Sequence, residues 1–544
     1  MPSSSEGGGG GRRIGRLTAI FTAATAFSRV IGLIREIIAN YLFGTTPVAS
    51  AFTIASGIPN LMSNLFAQAA LSAAFVPVFT DLLQQGKKKE AFRLASTLFW
   101  IVMIVLSVIT MLGILIAPLV IPLIFGGKHF DGHATSVMTQ IMFPVVLVLG
   151  LTGVITGILQ SYDQFSLPAI APVLWNVVII VLTLLLHGSF GKNGPYGYAI
   201  AWVIATIVQF FFIASALRRI DYRLEFYIDW HDPRVRQVFV LMLPVTIGLG
   251  IVNLDALINS SFGALVKTTT LHGEVVSTNS GGPRAIQDAF LIYMLPQGIF
   301  SVAISTVLFP TLSRQAARRD PKAMRASLAT GMRQINLLLI PSAVGLLCLS
   351  TPVTSLIFEH GKFGPLSLHL TATALFWFAF SLPFAGLNLL MTRTFFALQR
   401  PWIPTKLAGL NMIVDVIVSI ALYKPLGVAG LVIGTAAANM VMAFLQMRRL
   451  RIGFNGNLEL AQLMMISARI LAVSIVMGVF ARLVWAIFHA VLGDSLPAQL
   501  IAVGAAVVAA GLFYCWAISH MRVPEWRQIE AMFGGRLKRL IAAR

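Results

Sequence analysis

Charge is scarce in this chain. Only 11% of its 544 residues are Asp, Glu, Lys or Arg, against about 25% in an ordinary soluble protein. Acidic residues are the scarcer sign, 20 against 40 basic ones, for a net charge of +20. With 57% hydrophobic residues, a soluble core would leave large apolar patches in water. The shortage of charge therefore points to an integral membrane protein. The basic excess does not imply a nucleic-acid partner, because Lys and Arg cluster in short loops between apolar runs, a mark of membrane topology.

Other absences narrow the class further. The two cysteines, Cys348 and Cys515, give no basis for a disulfide framework or a thiol metal site. Strong period-two alternation is missing, which argues against a β-barrel. The segment "KHFDGH" (128–133) holds His129, Asp131 and His133 but lacks zinc-site spacing. There is no Walker motif and no catalytic triad pattern, so neither an enzyme nor an ATP-driven pump is expected. The start, "MPSSSEGGGGGRRIGR", has no short apolar region followed by a small-residue cleavage site. It reads as a flexible basic tail (1–16) ahead of a mature transmembrane helix.

What is present is a series of apolar runs long enough to cross a bilayer at 1.5 Å per residue. Fourteen are predicted, near 17–43, 49–80, 92–125, 136–160, 168–187, 196–217, 237–266, 285–312, 328–358, 367–398, 404–423, 428–447, 462–489 and 497–520. The expected fold is an all-α integral membrane protein. With the N-terminus inside, basic loops such as "GKKKEAFR", "SRQAARRDPKAMR" and "RRLR" are cytoplasmic. The outer loops then hold only Lys128, Lys192, Lys267, Arg284, Lys362 and Lys424. This asymmetry places both termini in the cytoplasm.

The runs also repeat. "AAFVPVFTDLL" (73–83) resembles "TVLFPTLSRQA" (306–316), and in both copies 48 residues separate the proline from the phenylalanine of a later "LIF". "GPYGYAIAWVIAT" echoes "KPLGVAGLVIGT". Helices 1–6 and 7–12 therefore read as two six-helix units of the same orientation, a transporter architecture with its site between the halves. The expected domains are an N-lobe (17–220), a C-lobe (221–450), two extra helices (451–521) and a basic cytoplasmic tail (522–544).

Two polar groupings interrupt the apolar runs. In "AFSRVIGLIREIIANYLFG" (26–44), Arg29, Gly32, Glu36 and Asn40 fall on one helical face. Ser28, Arg35 and Ala39 widen that face to roughly 140°. Each charge at membrane depth costs about 2.5–3.5 kcal/mol, so a shared wedge suits a water-filled cavity better than scattered charges would. The alternative is an Arg–Glu pair that locks helix packing. Two arginines against one glutamate favour an anionic ligand. In the second half, Asp255 and Asn259 form an i,i+4 pair, as do Asn411 and Asp415, and Thr435 lies in the next helix. These are hard oxygen ligands suited to a small cation or a shared proton; a packing hydrogen-bond network is the competing reading.

Five segments together resemble the MurJ/MviN lipid II flippases, of the multidrug/oligosaccharidyl-lipid/polysaccharide exporter superfamily. They are "AFSRVIGLIREIIANYLFG", "GIPNLMSNLFAQAALSAAFVPVF", "LPQGIFSVAISTVLFPTLSR", "LIFEHGKF" and "FFALQRPWIPTKLAGLNMIVD". The resemblance covers nearly the whole chain except the glycine-rich start. It implies fourteen helices, two lobes around a cationic cavity, and outward movement of lipid-linked peptidoglycan precursor across a bacterial cytoplasmic membrane. By position it implies that Ser28, Arg29, Arg35 and Glu36 bind substrate. It also implies that Asp255, Asn411, Asp415 and Thr435 hold a sodium ion; no other cofactor is expected. Glu36 stands where many members have Asp. Ser50, Ser63, Gln68 and Leu291 stand where members of the family often carry charge, the last in place of a characteristic arginine. Expected partners are the lipid-linked precursor, anionic membrane lipids and cell-wall synthesis proteins. The rival functions are a flippase for another lipid-linked glycan, a cation-coupled drug exporter and a membrane scaffold.

Overall fold

The computed structural model describes residues 27–521, apart from 67–68, 126–130, 163, 165, 191–193, 221–224, 272–273, 279–280 and 455–458. The expected tails at 1–16 and 522–544, Gln68 and His129 lie outside the described residues, as does the side chain of Ser63. By packing, the chain divides into two compact units. Unit 1 is Met1–Lys267 with Asn279–Arg284 and Gly361–Phe363; unit 2 is Thr268–Thr278, Ala285–His360 and Gly364–Arg544.

Unit 1 begins with helix α1 (27–43). It continues with α2 (Pro47–Phe66), α3 (Ala69–Gln84), α4 (Lys88–Phe125), α5 (Gly132–Met142), α6 (Pro144–Ser161), α7 (Ser166–Phe190), α8 (Gly194–Ser215) and α9 (Pro233–Leu265). Asp131 caps α5 by accepting from the Ala134 backbone N–H at 2.8 Å, a structural use for an acid in the His/Asp loop. α9 starts on Asp232, which accepts from Arg234 N at 2.8 Å, with Pro233 at the first helical position. One apolar cluster joins Phe75, Phe79, Leu98 and Ile155 to Val235 and Val238 of α9. A second gathers Ala39, Phe43, Phe52, Met138, Ile179 and Tyr198 and fixes α1 against α2, α5, α7 and α8.

Unit 2 opens with an antiparallel hairpin, β1 (Thr268–Leu271) and β2 (Glu274–Ser277), in the register Thr268↔Ser277 to Leu271↔Glu274. α10 (Gly282–Pro296) starts inside unit 1 and passes into unit 2 after Arg284. A π-helical turn at Gln297–Ser301 separates it from α11 (Val302–Ala317). Then come α12 (Pro321–Phe358), α13 (Pro365–Ala397), α14 (Trp402–Leu426), α15 (Val428–Gly453), α16 (Leu460–Leu492) and α17 (Leu496–His520). α12 kinks at Leu349 (φ −113°, ψ 18°), next to Cys348, whose carbonyl loses its helical donor because Pro352 has no N–H. Gly427, at φ 59° and ψ −132°, supplies a backbone shape that side chains resist and turns α15 back along α14. α16 and α17 pack on α12 through Leu337, Ile340, Ile470 and Met477, and Tyr514 donates to the Leu337 carbonyl at 2.7 Å.

Eleven helical stretches among the described residues are long and apolar enough to cross a membrane. They match the expected spans 3–6 and 8–14. Of the other three, α1 runs back into residues outside the description, the second is described as α2 and α3, and the seventh is the 33-residue α9. Division by packing differs from division by repeat. α9 opens the second copy, yet it packs against α2, α3 and α4 within unit 1.

Candidate functional site

The polar wedge of α1 is resolved in unit 1 as a buried ion cluster. Arg35 Nη2 contacts Glu36 Oε1 at 2.5 Å. Its Nη1 donates to Asn176 Oδ1 at 2.9 Å, and its guanidinium carbon sits 5.0 Å and 5.1 Å from the ring centres of Trp175 and Trp202. Those rings hold a cation through their quadrupoles. They are themselves pinned: Trp175 Nε1 donates to Thr206 Oγ1 at 3.1 Å, and that hydroxyl donates to the Trp202 carbonyl at 2.8 Å. Arg35 is thus a fixed structural cation. Asn176 Nδ2 donates to the Pro172 carbonyl at 2.9 Å and also reaches Ser28 Oγ at 3.5 Å.

Glu36 has a second partner that sequence reasoning misplaced. Arg284 Nη2 contacts Glu36 Oε2 at 2.8 Å, and its Nε donates to Asn40 Oδ1 at 3.1 Å. The expectation that Arg284 is an outer-loop cation is corrected: its side chain is only 5% exposed. The physical reason is that the glycines and proline ahead of it open α10, so Arg284 lies in the first helical turn. It also lies seven residues before Leu291, two turns along the same helix face. Leu291 is half-buried.

Arg29 differs from Arg35. It is exposed, and among the described residues it forms no ion pair. Two guanidiniums share one carboxylate, so the cluster keeps a net positive charge. Ser50 on α2 is fully buried and its hydroxyl has no hydrogen-bond partner among the described residues.

The expected cation ligands divide between the units: Asp255 and Asn259 lie on α9 in unit 1, and Asn411, Asp415 and Thr435 lie in unit 2. Asp415 is 1% exposed. Its Oδ1 accepts from Ser419 Oγ at 3.0 Å and its Oδ2 from Thr435 Oγ1 at 3.1 Å. Ser419 extends the Asn411–Asp415 stripe by another four residues, a continuation that sequence reasoning passed over. A side chain at Gly434 would meet Ser419 Oγ at 2.2 Å and Asp415 Oδ1 at 2.7 Å. Only glycine lets α15 approach closely enough for Thr435 to reach the carboxylate. One carboxylate and two hydroxyls with free lone pairs form a hard oxygen set of the kind that suits a small cation.

A family model described as lipid II flippase MurJ matches residues 39–501. The chain belongs to the MurJ lipid II flippase family. The lipid II flippase MurJ of Burkholderia cenocepacia is 30% identical over 435 residues, which cover 78% of this chain and 82% of that protein. Among solved structures, one titled as a lipid II flippase MurJ in an inward closed conformation superposes with a TM-score of 0.74 at 22% identity, over 92% of this chain and 99% of that one. A multidrug resistance MATE family transporter in an inward-facing conformation gives 0.66 at 16% identity, over 79% of this chain and 94% of that one. These two likenesses concern the fold: the MurJ family shares its helical architecture with MATE transporters. As a MurJ-family chain with eleven recognisable spans, this is a multi-pass membrane protein of a bacterial family.

Proposed function

We propose that this protein is a flippase that carries lipid II from the inner to the outer leaflet of the cytoplasmic membrane. The observation that carries the reading is the excess of positive charge on α1 in a chain of the MurJ family. Arg35 is held by Glu36, Asn176 and two tryptophan rings, while Arg29 is exposed and forms no ion pair among the described residues. A diphosphate offers acceptor oxygens to such a guanidinium as charge-assisted hydrogen bonds. In this scheme Arg29 engages the head group, the Arg35–Glu36–Arg284 cluster gives the site its shape and field, and the lipid tail stays in the bilayer. Alternating access moves the head group across, with both termini on the cytoplasmic side.

Reconstituted vesicles test the reading. Labelled lipid II should appear in the opposite leaflet at a rate set by the amount of protein, whereas a cationic drug should not be moved. Transport of the drug without lipid II would replace the flippase by the exporter reading. Another lipid-linked glycan with the same diphosphate is the second substrate to assay, because Ser50 stands in unit 1 where the family pattern suggests a charge.

Asp415, Ser419 and Thr435, with Asn411 on the same stripe, would hold a sodium ion in unit 2. Bound there, a cation neutralises a carboxylate that is 1% exposed and lies against two hydroxyls. A ligand that favours the folded form stabilises it by about 1.4 kcal/mol at ten times its Kd. Sodium in place of choline should therefore raise the apparent Tm of the purified protein, and Asp415→Asn should abolish that rise. Equal melting of wild type in both salts would remove the cation from the scheme.

A further inference from the structure

A cavity of about 470 Å³ lies within unit 2, where α11, α13 and α15 end and α12 and α14 begin. Arg319, Arg400 and Arg449 line it, with Asp320 as the single acid. Among the described residues none of these three arginines forms an ion pair. Asp320 is occupied in capping α12, accepting from Ala323 N at 3.0 Å. The three helix C-termini contribute roughly half a negative charge each, partly cancelled by the N-termini of α12 and α14, so even with Asp320 they fall short of three guanidiniums. The cavity is therefore an anion site by charge.

Two further features mark it. Gln315, on its wall, donates from Nε2 to Ser327 Oγ at 2.9 Å, while its Oε1 is buried without a hydrogen-bond partner. That oxygen asks for a donor. The backbone at the cavity is also strained. Among the described residues, the two non-glycine residues with positive φ are Arg319 (53°) and Gln399 (57°). One lines the cavity and the other precedes Arg400. Each occupies a helix-end position usually taken by glycine, and such strain is retained where a site requires it.

The rest of the wall is apolar. Phe395, Leu398, Ile403 and Ile452 line it. Next to it, Phe396 is 47% and Trp402 50% exposed, the kind of aromatic rim found at membrane–water boundaries. We propose that this cavity binds the headgroup of an anionic phospholipid. The phosphate meets Arg319, Arg400 and Arg449, and a headgroup hydroxyl donates to Gln315 Oε1. The acyl chains run along Phe396, Trp402 and Ile452. A phosphoglycerol headgroup has both the anion and the donor. The site is separate from the α1 cluster and does not depend on which lipid the protein transports.

Native mass spectrometry of the full chain released from nanodiscs tests this. The discs hold phosphatidylcholine with about one fifth phosphatidylglycerol, and the readout is phosphatidylglycerol retained per protein. Each arginine near a lipid phosphate contributes about fivefold in affinity. Wild type should retain the anionic lipid, and R400Q/R449Q should lose it by tenfold or more. R448Q, one residue outside the cavity, should behave as wild type. Arg319→Gly provides a control for folding. It removes a guanidinium but relieves the left-handed backbone, so retention should fall while Tm stays level or rises. Equal retention in all four proteins would overturn the proposal. So would release of the lipid from wild type by millimolar inorganic phosphate, which would make this a site for soluble anions.

Discussion

Glu36→Gln is expected to cost the folded protein about 3–5 kcal/mol, the range for removing one partner from a buried ion pair. The cost comes from what remains. Arg35 and Arg284 both point at Glu36, at 2.5 Å and 2.8 Å. Without the carboxylate, two guanidiniums only 13% and 5% exposed repel each other with no counter-charge between them. A denaturant titration in detergent micelles reads the effect. The double variant Glu36→Gln/Arg284→Gln should recover part of the loss, because it removes the repulsion as well. If the double variant is as unstable as the two single losses added together, Arg284 is not coupled to Glu36 by charge. Glu36→Asp keeps the charge on a shorter stem that reaches one guanidinium at a time, and should fall between wild type and Gln.

Arg29→Ala is expected to slow lipid II transfer about 10- to 100-fold, the worth of a charge-assisted hydrogen bond of about 1.5–3 kcal/mol. Stability should hardly change, because Arg29 is exposed and forms no ion pair among the described residues. Arg29→Lys should keep part of the rate: the charge remains but the planar fork is lost. Arg35→Ala makes the contrast. It strips Glu36 of a partner and leaves Asn176, Trp175 and Trp202 around a void, so stability and transport should fall together. Initial rates of labelled lipid II crossing in proteoliposomes, normalised to folded protein, separate the two residues. A wild-type rate in Arg29→Ala would end the head-group role assigned to it.

Much of this was legible one helix at a time. Helical projection alone put Arg29, Glu36 and Asn40 on one face of α1, and four-residue spacing put Asn411 in line with Asp415. Within a helix the period is fixed by backbone geometry, so side chains a turn apart are neighbours whatever the fold. The partners that come from elsewhere were not legible. Arg284 meets Glu36 across 248 residues of chain and Asn176 meets Arg35 across 141. A lone arginine after two glycines and a proline reads as a loop charge until packing buries it. The place of α9 was hidden for a related reason. A repeat records how the sequence is built, and it does not say against which neighbours a helix buries its apolar face.

The short stretch Asn279–Arg284 within unit 1 bears on how the protein is made. α9, the last full helix of that unit, ends at Leu265, but the charge balance of α1 waits for Arg284. Translation at about 5–20 residues per second puts roughly 1–4 s between the two. For that time the first unit holds Glu36 against Arg35 alone, and Asn40 lacks its guanidinium partner. A ribosome paused before residue 284, or a gene cut there, would leave α1–α9 with an open ion cluster and without Gly361–Phe363. The first unit is finished only by sequence from beyond α9, first Asn279–Arg284 and later Gly361–Phe363.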